Sequence, residues 1–316
     1  KSRAKCSRLR AELNGDHGFL STKLFRFGFA TIIGRPNVGK SSLVNTITGL
    51  KTSITSRRPQ TTRNRVIGSL TRSDFQLLLI DTPGIHDSPK LLNTRINRTA
   101  YKSLKTSDIV VMLIDARGWK KDDERIWKVI KDTTQTVIMV INKLDLLSNP
   151  VKVLPLIDQC SKLTGISEII PISVKSGHNL ESLVEIIRNS LPTQPAEVLI
   201  NIDALNDPKQ SVAELIREQV FRLAGAEIPY RSAVIVEQER FDYGKPEYHA
   251  AIWVETPGQK AIVIGKDGER LKRISMRARN EIEMIFGNEI VLIVRVVVRK
   301  NWSSNPKDLS KLGYGD

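Results

Sequence analysis

From Phe27 to about Leu191 the chain alternates short, nearly unbroken apolar runs with longer stretches whose apolar residues recur at helical spacing. The runs at 29–33, 77–80, 109–114, 137–141 and 168–172 are strand-length. A strand that is apolar on both sides is buried on both sides. Such runs, separated by helical stretches, therefore predict an α/β domain with a mainly parallel sheet covered by helices on both faces. The helices expected between them are 92–106, 122–131, 152–163 and 179–190, the last opening at Asn179 and stopping before Leu191-Pro192.

The rhythm breaks at Pro192-Thr193-Gln194-Pro195 and again at Asn206-Asp207-Pro208, which marks 193–210 as a linker. A second region follows, with a helix at 211–223 and strands at 234–237 and 250–254. An apolar segment at 259–265, a helix to Phe286 and a final strand at 290–298 complete it. The expected division is a basic tail at 1–26, a first domain at 27–192, the linker, a second domain at 211–305 and a C-terminal tail at 306–316.

Composition adds bounds to this outline. At 316 residues, 40% hydrophobic and 26% charged, the chain suits two soluble domains, each with its own core. No apolar run approaches a membrane span. The net charge of +15 favours a polyanionic partner, but its distribution qualifies that reading. Residues 1–27 carry +5, residues 28–210 carry +8 and residues 211–316 only +2, so the second domain holds just a local basic cluster. Cys6 and Cys160 fit no metal or redox spacing and read as reduced thiols. Residues 1–26 are basic and lack a continuous apolar segment, which predicts a disordered tail rather than a secretory signal. A transit-peptide remnant stays open, with Glu12 and Asp16 weighing against it.

The candidate chemistry begins at Gly34-Arg-Pro-Asn37-Val38-Gly39-Lys40-Ser41, a complete G-x-x-x-x-G-K-[ST] pattern between a strand and a helix that continues through Ser42. Glycines let the backbone wrap phosphate oxygens, the helix N-terminus favours the anion, Lys40 reaches the β/γ-phosphates and Ser41 sits on Mg²⁺. A Gly-rich turn matching by chance is the plain alternative. Downstream, Asp81-Thr82-Pro83-Gly84 ends a strand, where Asp81 can hold Mg²⁺ through water and the Gly84 N–H can face a γ-phosphate. Alone, this tetrapeptide is also a good turn. Asn142-Lys143-Leu144-Asp145 ends the next buried strand but one. A carboxylate at Asp145 accepts from guanine N1–H and N2, donors that adenine does not offer there. Ser173-Val174-Lys175 follows the next strand, at a position suited to a loop touching the base.

Together these motifs place the first domain in the translation-factor-like branch of P-loop GTPases, and it resembles the Era-type GTPases. The segment 57–63, with Thr61 and Thr62, is similar to that family's switch I. The resemblance implies that Thr62, with Thr61 as fallback, reaches Mg²⁺ and the γ-phosphate. Lys40, Thr62 and Gly84 then become the candidate catalytic groups. Ile85 stands where many GTPases carry a water-orienting glutamine, so slow or assisted hydrolysis is expected. His86 beside it reads as polar surface rather than a base. Asn37 matches an asparagine that in some relatives helps bind potassium, which adds K⁺ to GTP/GDP and Mg²⁺ as a candidate cofactor.

In the second region, Gly265-Lys266-Asp267-Gly268 precedes a helix bearing Arg270, Lys272, Arg273, Arg277 and Arg279. G-x-x-G loops of KH modules clamp nucleotide backbones. The pattern alone also fits a helix–helix turn, but the Ile264-Gly-Lys-Asp-Gly-x-x-Leu271-Lys context and the ending Val296-Val-Val-Arg-Lys-Asn-Trp302 resemble the C-terminal KH domain of the Era family. That resemblance spans about residues 27–315 and implies an α+β type II KH domain. It also implies a cytoplasmic, monomeric GTPase that binds the 3′ end of small-subunit ribosomal RNA and assists 30S assembly, with peripheral inner-membrane association in some members. Bacterial or organellar origin stays open. A related GTPase of large-subunit assembly or tRNA modification lacks the C-terminal G-x-x-G. A non-hydrolysing RNA-binding scaffold with a vestigial nucleotide site fits poorly with intact Lys40, Ser41, Asp81 and Asp145.

Overall fold

Every residue of the strands Phe75–Asp81 and Ile109–Asp115 is buried, which is why neither shows an alternating pattern. The computed structural model describes residues 25–49, 66–84, 91–194, 207–225, 227–242 and 244–314. In the first domain β1 (Phe25–Ile33), β2 (Val66–Thr71), β3 (Phe75–Asp81), β4 (Ile109–Asp115), β5 (Thr136–Asn142) and β6 (Ile166–Pro171) lie in the order β2-β3-β1-β4-β5-β6. All neighbours are parallel except β2, which runs antiparallel to β3. β2 is an edge strand with a half-exposed pattern interrupted by Gly68, and its sequence carries no long apolar run to announce it.

Helices α1 (Lys40–Thr48) and α5 (Leu180–Ser190) cover one face through Leu43, Val44, Leu183, Val184 and Ile187. The other face is covered by α2 (Leu91–Leu104), α3 (Lys121–Ile130) and α4 (Leu154–Ser161). The helix expected at 152–163 opens instead with the 3₁₀ turn Pro150–Val153, and Pro155, which has no N–H to leave unbonded, sits in the first turn of α4. Cys160 lies in this core, and burial pushes its thiol up to about 11, as fits an unreactive thiol. Strand order reverses at β1, between β3 and β4, and the crevice beyond the strand ends at such a point is where open α/β sheets hold ligands.

The second domain runs α6 (Pro208–Leu223), β8 (Ser232–Asp242), β9 (Lys245–Val254), α7 (Pro257–Ile264), α8 (Glu269–Phe286) and β10 (Val291–Val298). β8 and β9 form an antiparallel hairpin with a bulge at Glu237, and β10 joins β9 in parallel through the α7–α8 crossover. The apolar segment 259–265 is helical as far as Ile264, opened by a capping box between Thr256 and Gln259 and ended by Gly265.

Three boundaries shift. Phe25 and Arg26, assigned to the tail, begin β1, where Phe25 and Phe27 are buried. The linker gives up Thr193-Gln194 to β7 (Thr193–Gln194), which pairs with the start of β1, and residues 208–210 to the first turn of α6, capped by Asp207. The C-terminal tail is not a tail: α9 (Pro306–Lys311) brings Leu309, Leu312 and Tyr314 into a buried cluster with Trp253 and Trp302.

Candidate functional site

The Gly34–Lys40 loop leaves β1 at the switch point and delivers Lys40 as the first residue of α1. Two of its glycines are required by close contact. A Cβ at Gly39, which has φ 107°, would lie 2.4 Å from the Asn142 amide nitrogen, and one at Gly34 would lie 2.4 Å from the Leu113 carbonyl oxygen. Lys40 is 7% exposed and donates its ammonium to the carbonyls of Gly34 (3.0 Å) and Arg35 (3.1 Å). Burial lowers its pKa to about 8, with the Asp81 carboxylate offsetting part of that effect. Ser41 follows on α1, and Asp81 ends β3 fully buried. Gly84 packs on Pro36: a Cβ there would come within 3.0 Å of the Pro36 backbone. Lys40, Ser41, Asp81 and Gly84 therefore converge on one loop.

The base-side residues converge on the same loop. Asn142, at the end of β5, donates from Nδ2 to the Val38 carbonyl (2.8 Å) and accepts at Oδ1 from the Val174 N–H (3.1 Å). Asp145 Oδ1 accepts from the Ser173 hydroxyl at 2.6 Å, and Lys175 Nζ stands 4.0 Å from Asp145 Oδ2. The Ser173 hydroxyl also accepts from the Ser176 N–H (3.2 Å), which fixes the 173–176 turn beneath Asp145. Lys143, in the left-handed region at φ 74°, donates to the Asn37 carbonyl.

Sequence reading passed over Asp115 and Arg35. Asp115 closes the all-apolar run of β4, fully buried, and pairs with Lys143 and Arg117. Arg35 sits inside the phosphate-loop motif, yet its guanidinium turns to Asp123 at the start of α3. The available signal was a carboxylate ending a strand with no other polar residue.

In the second domain, residues 265–268 turn between α7 and α8. Gly265 (φ 76°) lies against Arg270, where a Cβ would come within 2.7 Å of the Arg270 Cβ, and Gly268 (φ 77°) caps α8. Lys266 and Asp267 are exposed, as are Lys272 and Arg273 on the first turns of α8. Arg270 behaves differently: it is half-buried and donates to the Ile262 carbonyl, bracing α7 against α8. Thr61, Thr62, Ile85 and His86 lie outside the described residues.

The two domains meet through α2, which follows the Asp81-Thr82-Pro83-Gly84 segment. Leu92 and Ile96 of α2 pack with Ala251 and Trp253 of the second sheet and with Trp302 and Leu309. Arg95, 8% exposed, donates to the Tyr314 carbonyl at 2.7 Å. Arg299 stacks over Trp253 and pairs with Asp308, locking α9 onto the same sheet face. No helix among the described residues is long and apolar enough to cross a membrane.

A switch-point phosphate loop, a guanine-type base motif and an appended α+β module with a G-x-x-G turn define a P-loop GTPase fused to a KH domain. The family profile described as "50S ribosome-binding GTPase" matches residues 29–143, within the nucleotide domain alone, and the KH domain profile matches residues 227–303. GTPase Era of Pseudomonas fluorescens (strain Pf0-1) is 39% identical over 298 residues, 93% of this chain and 99% of that protein. GTPase Era of Lactobacillus helveticus is 40% identical over 93% of this chain and 98% of its own length. A crystal structure of Era in complex with MgGDPNP and nucleotides 1506-1542 of 16S ribosomal RNA matches with a TM-score of 0.87 and 36% identity, covering 92% of this chain and 100% of that one. A point variant of Aquifex aeolicus Era bound to GDP and AlF₄⁻ matches equally well, at TM-score 0.87 and 36% identity over the same shares of the two chains. The chain belongs to the Era family of GTPases.

Proposed function

We propose that this chain is a GTP-hydrolysing switch that binds the 3′ end of small-subunit ribosomal RNA and assists maturation of the 30S subunit. The observation that carries the reading is the Arg95–Tyr314 bond: the helix that follows Asp81 and Gly84 is fastened to the face of the KH sheet. Because α2 follows the 81–84 segment in the chain, it is the element through which a change at the γ-phosphate end would reach the RNA module.

At the nucleotide, loop N–H groups between Gly34 and Lys40 cradle phosphate oxygens, and the Lys40 ammonium balances the β/γ charge. Asp145 accepts from guanine N1–H and N2, held in place by Ser173. The steric demand for glycine at Gly34 and Gly39 and the burial of both the Lys40 ammonium and the Asp81 carboxylate fit a magnesium nucleotide. Ser41 and Asp81, with Thr62 from switch I, would hold the ion, which neutralises developing phosphate charge. Ile85 has no group to orient water, so the attacking water depends on backbone, on another switch residue or on a partner, and unstimulated turnover is slow.

At the RNA, the 265–268 turn lets a phosphate backbone approach closely, with Lys266, Lys272 and Arg273 supplying charge and Ile262 and Met276 exposed beside them for unstacked bases. Arg270 braces the groove. An Era solved with MgGDPNP and 16S rRNA nucleotides makes that ligand pair the first to try. Two finer readings go with this one: potassium beside Asn37, and peripheral contact of a cytoplasmic protein with the inner membrane.

GTP turnover, measured with and without an RNA of the small-subunit 3′ end, tests the proposal. Slow turnover stimulated by that RNA is expected. No turnover in either condition would leave the RNA-binding scaffold with a vestigial site.

A further inference from the structure

Asp115 stands outside all the GTPase motifs, yet three cationic side chains approach it. Arg117 donates from Nε (2.8 Å), from Nη2 (2.7 Å) and from its backbone N–H (3.0 Å), and the Lys143 ammonium lies 3.0 Å from Oδ2. Arg35 Nη2 stands 3.9 Å from the same oxygen while its Nε bonds Asp123 at 3.1 Å. Asp123 in turn accepts from the Lys120 N–H at the start of α3 (3.0 Å). The Asp115 carboxylate is buried and burial alone would raise its pKa, but the bonds from Arg117 and Lys143 outweigh this and hold it well below the usual carboxylate range.

The strand register explains the arrangement. Asp115 and Asn142 face each other at the ends of β4 and β5, so the next residue, Lys143, turns back across β4. Lys143 does this in a left-handed conformation that is costly for a lysine and persists only when surrounding contacts over-determine it. Its ammonium is clamped between the Asp115 carboxylate and the Asn37 carbonyl of the phosphate loop. We propose that Asp115 is a positioning residue for guanine-nucleotide retention: by anchoring Lys143 it locks the base-reading loop to the phosphate loop and so sets how long the nucleotide stays bound. The inference rests on the nucleotide-site reading above. It differs from base selection, which belongs to Asp145. It also gives Arg35 a task away from phosphate, tying the loop to α3 through Asp123.

The test is a double-mutant cycle on GDP dissociation, followed with a fluorescent GDP analogue. Asp115→Asn and Lys143→Met should each speed release about tenfold or more, and the double variant should release no faster than Lys143→Met alone. The guanine-over-xanthine preference should persist in Asp115→Asn. Losses that multiply in the double variant, or parental release from Asp115→Asn, would overturn the proposal. Arg117→Gln tests it without touching the buried carboxylate: it removes the guanidinium hydrogen bond that competes with Lys143 for Oδ2, so release should be no faster than in the parent. Release as fast as that of Lys143→Met would place the effect in the 116–120 loop and overturn the proposal too. A parent chain that binds no guanine nucleotide would overturn both this inference and the reading beneath it.

Discussion

Asn142 donates its side-chain amide to the Val38 carbonyl at 2.8 Å, so the strand carrying the base motif is bonded directly to the loop that faces phosphate. The same side chain accepts from Val174, which makes it the point where three loops from three strand ends meet. One side chain thus ties the base-side loops to the phosphate-side loop.

Replacing Asn142 by alanine removes both bonds at once. At about 1 kcal/mol for each neutral bond, GDP and GTP affinities should fall together by roughly 10- to 30-fold. Fluorescent-nucleotide titration checks this. A loss confined to one nucleotide would place Asn142 in contact with the γ-phosphate rather than in the scaffold. Gly39→Ala should be at least as damaging, because its Cβ would meet the Asn142 amide at 2.4 Å.

Lys40 gives the pH dependence. Its pKa of about 8 in the free protein must rise when an anionic phosphate arrives, so binding takes up a proton. Well below pH 8 Lys40 is charged and affinity is flat; as pH rises through about 8 the ammonium is lost and affinity falls. Between pH 7 and 8.5 GDP affinity should drop roughly fourfold, with matching proton uptake in calorimetry. Constant affinity over that interval would mean that Lys40 keeps an ordinary pKa.

Asp145→Asn should transfer preference from GTP to xanthosine triphosphate, whose 2-oxo group accepts where guanine donates. Competition binding with the two nucleotides decides it. An unchanged preference would remove Asp145 from base recognition.

Arg95→Ala should leave the nucleotide site and the 265–268 turn intact while loosening the seam between the domains. The lost buried bond to Tyr314 costs about 1–3 kcal/mol of interface stability. Calorimetric unfolding should separate into two transitions in the variant where the parent shows one. A single transition in both would make the seam energetically minor.

The core and much of the site were legible because buried parallel strands and phosphate loops leave strong local signals. The runs ending at Ile80, Ile114 and Ile141 are strands, and Lys40, Asp81, Asn142, Asp145 and Ser173 converge at their ends. What escaped depends on long-range contact. The polar segment 306–311 has a start signal in Asn305-Pro306 but no apolar periodicity, and its helix is held by Leu309, Leu312 and Tyr314 meeting Trp253 and Trp302. In sequence Arg270 is one more cation of the basic helix, and only the fold brings the Ile262 carbonyl to it. Asp115 is a single carboxylate in sequence, and only the β4–β5 register brings Lys143 across to it.

The most direct test of the nucleotide-controlled RNA switch is the affinity for a small-subunit 3′-end RNA, measured in the GDP-bound and the GTP-analogue-bound protein. Tighter binding is expected in the GTP-analogue state, abolished by Gly268→Asp without loss of nucleotide affinity. Equal RNA affinity in the two nucleotide states would contradict it.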